Sequence, residues 1–287
     1  MCRLIAYAGK PVLASDLLYK PQHSLMQRQA IRAEEMSTPI NGDGCGVSWY
    51  DFRIDSEPGQ FRSIHPSWSN TNLRLLCQKI KTSLLFAHVR AASPGAIIDQ
   101  LNCHPFVYGQ LSWMHNGMVG GFKSIRRSLL SGLNDESYEV IRGSTDSEYM
   151  FGLFLNKLKN PKGDVSTDEM IIALSDMYND LKKLLLEKKI EEHSYINICV
   201  TNGKSIIATR YTTNPRVQPA SLYYVYGKEY IVDENEKSYM IPDTGKAGSV
   251  IIASEPFTEN KSDWMRVERN SMMIVDENLN ISFKQLN

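Results

Sequence analysis

The chain begins Met1-Cys2-Arg3 and runs at once into Leu4-Ile5-Ala6-Tyr7-Ala8. An apolar run of this length reads as a buried strand, and a strand starting there holds the residues before it rigidly inside the fold. If Met1 is removed, Cys2 becomes the N-terminus and carries two useful groups. Its thiol has an ordinary pKa of about 8.5 and its α-amine one of about 7.7–8.0, so a useful fraction of the amine is free base at neutral pH. An amine beside a nucleophile activates it without a histidine. The expectation is a mature chain that starts at Cys2.

The remaining bounds are permissive. The 287 residues contain 32 Lys+Arg and 32 Asp+Glu, a balance that draws the protein toward neither nucleic acid nor an anionic membrane. No apolar run approaches the roughly 20 residues of a membrane span. Lys10, Pro11 and Asp16 interrupt the N-terminus too early for a signal peptide. The five cysteines (Cys2, Cys45, Cys77, Cys103, Cys199) form no CxxC pair, which argues for reduced thiols in a cytoplasm and against a disulfide framework or a zinc knuckle. Without repeats or a linker-like stretch, residues 2–287 read as a single domain.

In chain order, a short helix over Ala14–Leu18 is expected, then a helix start at His23-Ser24, with those two residues as its cap. Asn41-Gly42-Asp43-Gly44-Cys45-Gly46 leads into a strand, and three glycines in five residues mark a tight turn or a close approach. It is not a phosphate loop, because no Gly-Lys-Ser/Thr follows and a strand comes next. Leu84–Val89 is a near-continuous apolar strand ending in Arg90, a position where a cation needs a partner or a ligand. A strand over Gln110–Met114 ends in His115-Asn116-Gly117, where Asn-Gly by itself signals a hairpin turn. Further helices are expected at Phe122–Leu133, at Tyr149–Leu158 behind the cap-like Gly143-Ser144-Thr145-Asp146-Ser147-Glu148, and at about Thr167–Lys189. A hairpin turning at Asn202-Gly203 and short strands near Leu222–Tyr226, Val250–Ala253 and Met272–Val275 complete a layered α+β chain.

Taken by role, the pieces fit one reaction. Cys2 is a nucleophile with its own base. Asn116 and Gly117 can offer a side-chain amide and a backbone N–H to a developing oxyanion. Arg90 can clamp a carboxylate through two parallel hydrogen bonds, and Asp146 can pair with an ammonium. A substrate with a carboxylate, an ammonium and an electrophilic acyl group is a γ-glutamyl compound.

At these residues the chain resembles the class II glutamine amidotransferases, members of the N-terminal nucleophile hydrolases. The matching stretches are the MCR start, NGDGCGV, FAHVRAAS, NCHPF, MHNG and GSTDSE. Within that family the chain is similar to the stand-alone subgroup of fungal glutathione-degrading subunits and bacterial ergothioneine-pathway hydrolases, and ATRYTT, ASLYYVYG and ASEPFTENKSDW extend the fungal likeness into the C-terminal half. The resemblance implies a four-layer αββα sandwich of two antiparallel sheets. It also implies attack by Cys2 on a γ-carbonyl, an oxyanion hole from Asn116 and Gly117, Arg90 on the substrate α-carboxylate, Asp146 on its α-amine, and Gly44 or its neighbours against the nucleophile. No cofactor is implied. A metallopeptidase-like partner subunit is compatible with the fungal likeness, and no synthase domain is recognised that would use ammonia within the chain.

Rival readings are a catalytically silent γ-glutamyl-binding subunit and a glutaminase feeding a separate synthase. His88, His104 and His115 sit at irregular spacing, which favours hydrogen-bonded structural histidines over a metal trio. Cys45, Cys77, Cys103 and Cys199 read as small buried hydrophobes. Trp49, Trp68, Trp113 and Trp264 read as core or pocket wall.

Overall fold

The computed structural model describes residues 2–34, 40–93, 95–214, 216–243, 245 and 247–286; the expectation about Met1 lies outside them. Two sheets carry the fold, and every paired strand is antiparallel to its neighbour. The first runs in the order β13 (Met265–Arg266), β9 (Tyr223–Gly227), β12 (Ser249–Ala253), β1 (Arg3–Leu13), β4 (Lys81–Val89), β2 (Cys45–Trp49), β3 (Gly59–Ser63). The second runs β15 (Ile281–Gln285), β14 (Ser271–Val275), β8 (Ile206–Thr212), β7 (Tyr195–Thr201), β6 (Leu111–Met118), β5 (Phe106–Tyr108). A separate hairpin joins β10 (Glu229–Val232) to β11 (Ser238–Ile241).

Strand alternation explains the layers. Successive side chains of a strand point to opposite faces, so Leu4, Ala6 and Ala8 of β1 enter the seam between the sheets. Leu84 and Phe86, Met114, Cys199 and Ala208, and Val250 and Ile252 join them there. The odd residues Ile5 and Tyr7 face the other way, onto helix α1 (Ala14–Leu18) and helix α2 (Thr71–Cys77). On the outer face of the second sheet, Leu111, Trp113, Ile196, Ile198 and Val200 pack beneath three helices: α3 (Phe122–Ser131), α5 (Asp146–Leu155) and α6 (Thr167–Glu187), with α4 (Asp135–Val140) preceding α5. Helices, sheet, sheet, helices is the four-layer αββα sandwich.

Several local readings shift. Asn116-Gly117 is no turn: both lie inside β6, opposite Asn197 and Ile196. The turn comes beyond β6, at Gly120-Gly121, with Gly121 at φ +61. Asn202-Gly203 is the hairpin turn, with Gly203 at φ +86. Helix α5 starts at Asp146 rather than Tyr149, because the Thr145 hydroxyl accepts the Glu148 N–H. Ser24 makes no capping hydrogen bond, and the segment it opens, Leu25–Gln29, is a π-helical stretch. His23 turns instead toward Glu255, at 3.3 Å. The four cysteines other than Cys2 are buried free thiols.

Candidate active site

The strands bring Cys2, Arg90 and Asn116 to one end of the seam. In β1, β4 and β6 the even-numbered residues Leu4, Phe86 and Met114 face inward, and Cys2, Arg90 and Asn116 continue those series. The pairing of Arg3 with Val89 sets Cys2 level with Arg90. A hydrogen-bond contact of 3.2 Å from His88 Nε2 to the His115 carbonyl brings the same end of β4 against β6.

Cys2 is partly exposed. Its Sγ accepts the Ala91 N–H at 3.4 Å and lies 3.7 Å from the Ala91 carbonyl. Burial pushes the thiol pKa up, while the Ala91 N–H and the Arg90 and Arg3 guanidiniums pull it down. The neutral thiol is therefore the resting form, and attack requires a base. Behind Cys2, Arg3 Nη1 donates to the Cys2 carbonyl at 2.8 Å, and the buried Glu255 carboxylate lies 3.4 Å from Arg3 Nε. Ser254 grips both polar groups of Leu4: its Oγ accepts the Leu4 N–H and its N–H donates to the Leu4 carbonyl. These C-terminal anchors, from the stretch Ala253–Phe257, were not foreseen as parts of the site; the signal was a Ser-Glu pair directly after an apolar strand.

Arg90 is buried, yet among the described residues its guanidinium meets only two carbonyl oxygens, Asp43 at 3.3 Å and Ile97 at 3.4 Å. Among the described residues no carboxylate pairs with it. A buried cation held only by neutral dipoles is well suited to an incoming anion. The Asp43 carboxylate accepts the Ala92 N–H at 2.8 Å, fixing the turn beyond Arg90. Gly44 accepts the Arg90 N–H at 2.8 Å through its carbonyl. Where its Cβ would stand are Cys103 Sγ at 2.5 Å and the Ser63 carbonyl. Gly44 thus borders the loop holding Cys103 and orients Arg90 through the main chain.

Asn116 is buried, and its Oδ1 has no hydrogen-bond partner among the described residues. Leaving an amide oxygen so is costly, and the fold makes no use of it. Gly117 has φ +154, and a Cβ there would stand 1.7 Å from the Tyr195 carbonyl oxygen. Only glycine lets β6 and β7 approach this closely.

Asp146 is the first residue of α5 and already carries main-chain duties. Its Oδ2 accepts the Val119 N–H at 2.7 Å, just past β6, and its Oδ1 the Ser147 N–H at 2.8 Å. Ser147 Oγ lies 2.8 Å from His115 Nδ1 and 3.4 Å from Asp146 Oδ1. Asp146 and Arg90 form no ion pair with each other among the described residues.

The three histidines gather behind this site. The His88 and His104 rings lie 4.3 Å apart between centroids. Burial drives His88 down to about 3 and His104 well below its usual value. His115 is lowered by burial against the opposing pull of the Asp146 carboxylate and the Tyr195 carbonyl. All three are thus neutral at physiological pH. Among the described residues no three His, Cys, Asp or Glu form a group able to hold a metal.

A cavity of about 440 Å³ lies elsewhere. Arg62, Arg142 and Glu148 line it, but not Cys2, Arg90, Asn116 or Asp146. Chemistry rather than volume locates the candidate site: among the described residues, the seam end brings together a thiol, a buried cation without a carboxylate partner and an amide oxygen without a hydrogen bond.

The family model for class II glutamine amidotransferases matches residues 12–284. The chain is 36% identical over 294 residues to the probable glutamine amidotransferase DUG3 of Saccharomyces cerevisiae, covering 96% of this chain and 82% of that protein. It is 29% identical over 119 residues to the γ-glutamyl-hercynylcysteine sulfoxide hydrolase of Mycobacterium tuberculosis, a match spanning 42% of this chain and 50% of the relative. Among solved structures, a glutamine aminotransferase class-II domain protein from Silicibacter pomeroyi superposes with TM-score 0.68 at 24% identity, covering 99% of this chain and 98% of that one. The glutamine phosphoribosylpyrophosphate amidotransferase of B. subtilis does so with TM-score 0.62 at 13% identity, where this chain spans 49% of the neighbour. Those two likenesses concern the fold. With a family match over nearly the whole chain, and a sandwich whose seam ends in Cys2, the chain belongs to the class II glutamine amidotransferase family.

Proposed function

We propose that the protein hydrolyses the γ-glutamyl amide bond of glutamine or of a glutathione-like γ-glutamyl compound, with Cys2 as nucleophile. Once Met1 is removed, the Cys2 α-amine takes the thiol proton and the sulfur attacks the γ-carbonyl. The tetrahedral oxyanion lies against the Asn116 amide and the Gly117 N–H, where one donor contributes about 10²–10³ in rate. Collapse breaks the C–N bond, and the proton returns from the α-amine to the leaving nitrogen. Water then cleaves the γ-glutamyl thioester, releasing glutamate and restoring the thiol. Arg90 holds the α-carboxylate and Asp146 the α-amino group.

The observation that carries this reading is Arg90, a buried guanidinium level with Cys2 and without a carboxylate partner among the described residues. The names of the relatives support the substrate class: one is a probable glutamine amidotransferase, another a γ-glutamyl compound hydrolase. The test is a hydrolysis screen of Met1-free protein with glutamine, glutathione and other γ-glutamyl compounds, with and without a metallopeptidase-like partner. Release of glutamate that disappears in Cys2→Ala is expected. Tight binding with no turnover under any condition would instead mark a silent binding subunit, and full activity with Met1 retained would remove the α-amine as base.

A further inference from the structure

The two proposed charged partners of the substrate sit on different segments of the chain, and one buried side chain ties those segments together. Arg90 is steadied through the Ile97 carbonyl, on the coil that follows β4. Asp146 follows the turn Arg142–Thr145. Asn102 is 1% exposed and ends the short 3₁₀ turn Gln100–Asn102, further along the same connection between β4 and β5 as Ile97. Its Nδ2 donates to that same Ile97 carbonyl at 3.1 Å and to Ser144 Oγ at 3.3 Å, and its Oδ1 accepts the Ser144 N–H at 2.9 Å.

The neighbouring contacts make this tie rigid. The Glu148 carboxylate accepts the Arg142 N–H at 3.0 Å and the Gly143 N–H at 2.6 Å. Three consecutive N–H groups before Asp146 are therefore held by two buried side chains, Glu148 and Asn102. At Gly143 a Cβ would stand 2.4 Å from Asn102 Oδ1, so the absence of a side chain there lets the turn close on the amide. On the other side, the Ile97 carbonyl takes donors from both Arg90 and Asn102. Two lone pairs on one oxygen thereby link the cation to the amide.

We propose that Asn102 is a positioning residue that sets the distance between the carboxylate clamp, Arg90, and the ammonium partner, Asp146, and so selects substrates carrying both groups on one α-carbon. The role rests on the γ-glutamyl reading above. An amide suits it because donor and acceptor sit at one end of a short side chain. An aspartate keeps the acceptor for the Ser144 N–H and loses the donor to Ile97.

The test is steady-state kinetics of Met1-free wild type, Asn102→Ala, Asn102→Asp, Asp146→Asn and the double variant Asn102→Ala/Asp146→Asn. Substrates are a γ-glutamyl amide and its analogues lacking the α-amine or the α-carboxylate. Asn102→Ala is expected to raise KM for the full substrate by about 10-fold, the scale of one lost hydrogen bond to a charged group, with kcat changed far less. The double variant should lose less than the product of the single losses, because Asn102 acts through Asp146. Asn102→Asp should impair only substrates bearing the α-carboxylate, and that variant still decides the matter if Asn102→Ala fails to fold. Multiplicative losses, or equal losses on every substrate, would overturn the positioning role while leaving γ-glutamyl hydrolysis standing. A wild type indifferent to both charged groups would remove the γ-glutamyl reading and this role with it.

Discussion

In the proposed reaction, Asn116 is the residue where stability and catalysis separate most cleanly. Its Oδ1 has no partner among the described residues, so removing that oxygen breaks no hydrogen bond within the fold. Removing an oxyanion donor costs about 10²–10³ in kcat. Asn116→Ala should therefore lower kcat by at least about 100-fold with KM little changed, because the contact strengthens only in the transition state. Its Tm should stay near that of the wild type; a large fall in Tm with normal turnover of the folded fraction would return Asn116 to a structural role. Arg90→Lys tests the opposite property. A point charge cannot reproduce a two-pronged clamp, and kcat/KM should fall roughly 10- to 150-fold for α-carboxylate substrates. Undiminished activity in the lysine variant would show that charge alone suffices.

At the scale of elements, β6 carries the site because it runs four residues beyond Met114 and stays paired with β7 to its end. That pairing requires a residue without Cβ at 117, where the Tyr195 carbonyl leaves no room. Gly117→Ala should push the two strands apart. Overpacking of this kind costs about 1–3 kcal/mol, a Tm fall of roughly 2–12 °C at this size, and activity should be lost along with it. Thermal unfolding by circular dichroism measures the first effect, and an unchanged Tm would mean that β7 shifts freely. Helix α5 shows the same coupling of element to site. Its cap Thr145 and first residue Asp146 place a carboxylate at a helix N-terminus, tied to Val119 beyond β6. The helix thus starts where the second sheet needs it.

For the whole molecule, the buried histidines make stability depend on acid. His88 falls from an ordinary 6.5 to about 3 in the fold because burial disfavours its charged form. A depressed histidine is neutral when folded and protonated when unfolded at acid pH. Its contribution is therefore complete above about 6.5 and is lost progressively as pH falls toward 3. Between pH 6.5 and 5 that loss is about 2 kcal/mol for His88 alone, since each pH unit corresponds to about 1.4 kcal/mol. His104 and His115 shift in the same direction. Denaturant midpoints measured from pH 7 to 4 should drop steadily, with a shallower slope in His88→Gln. A flat profile from pH 7 to 5 would show that the trio is hydrated or already charged. No helix among the described residues is long and apolar enough to cross a membrane.

A layered α+β plan was legible from the chain because it rests on periodicity, while the αββα order of the layers came only with the family resemblance. Alternating residues of β1 divide between the seam and the α1–α2 layer, and the amphipathic stretch after Ser166 is a capped helix, Thr167–Glu187. The residue types offered for the reaction were legible too, since a thiol beside an α-amine, an arginine closing an apolar strand and an Asn-Gly pair each have distinct chemistry. The part Asn116-Gly117 plays in the chain was not legible. Local propensity reads that pair as a turn, and long-range pairing with Asn197 and Ile196 overrides it. The Arg3–Glu255 contact spans 252 positions, and Asn102 meets Ser144 across 42. Such contacts leave no local pattern, because they depend on which loops the packed sheets bring together. Local chemistry determined what each residue could do; only the closed sandwich decided which of them share a site, because burial and pairing across the seam are properties of the whole fold.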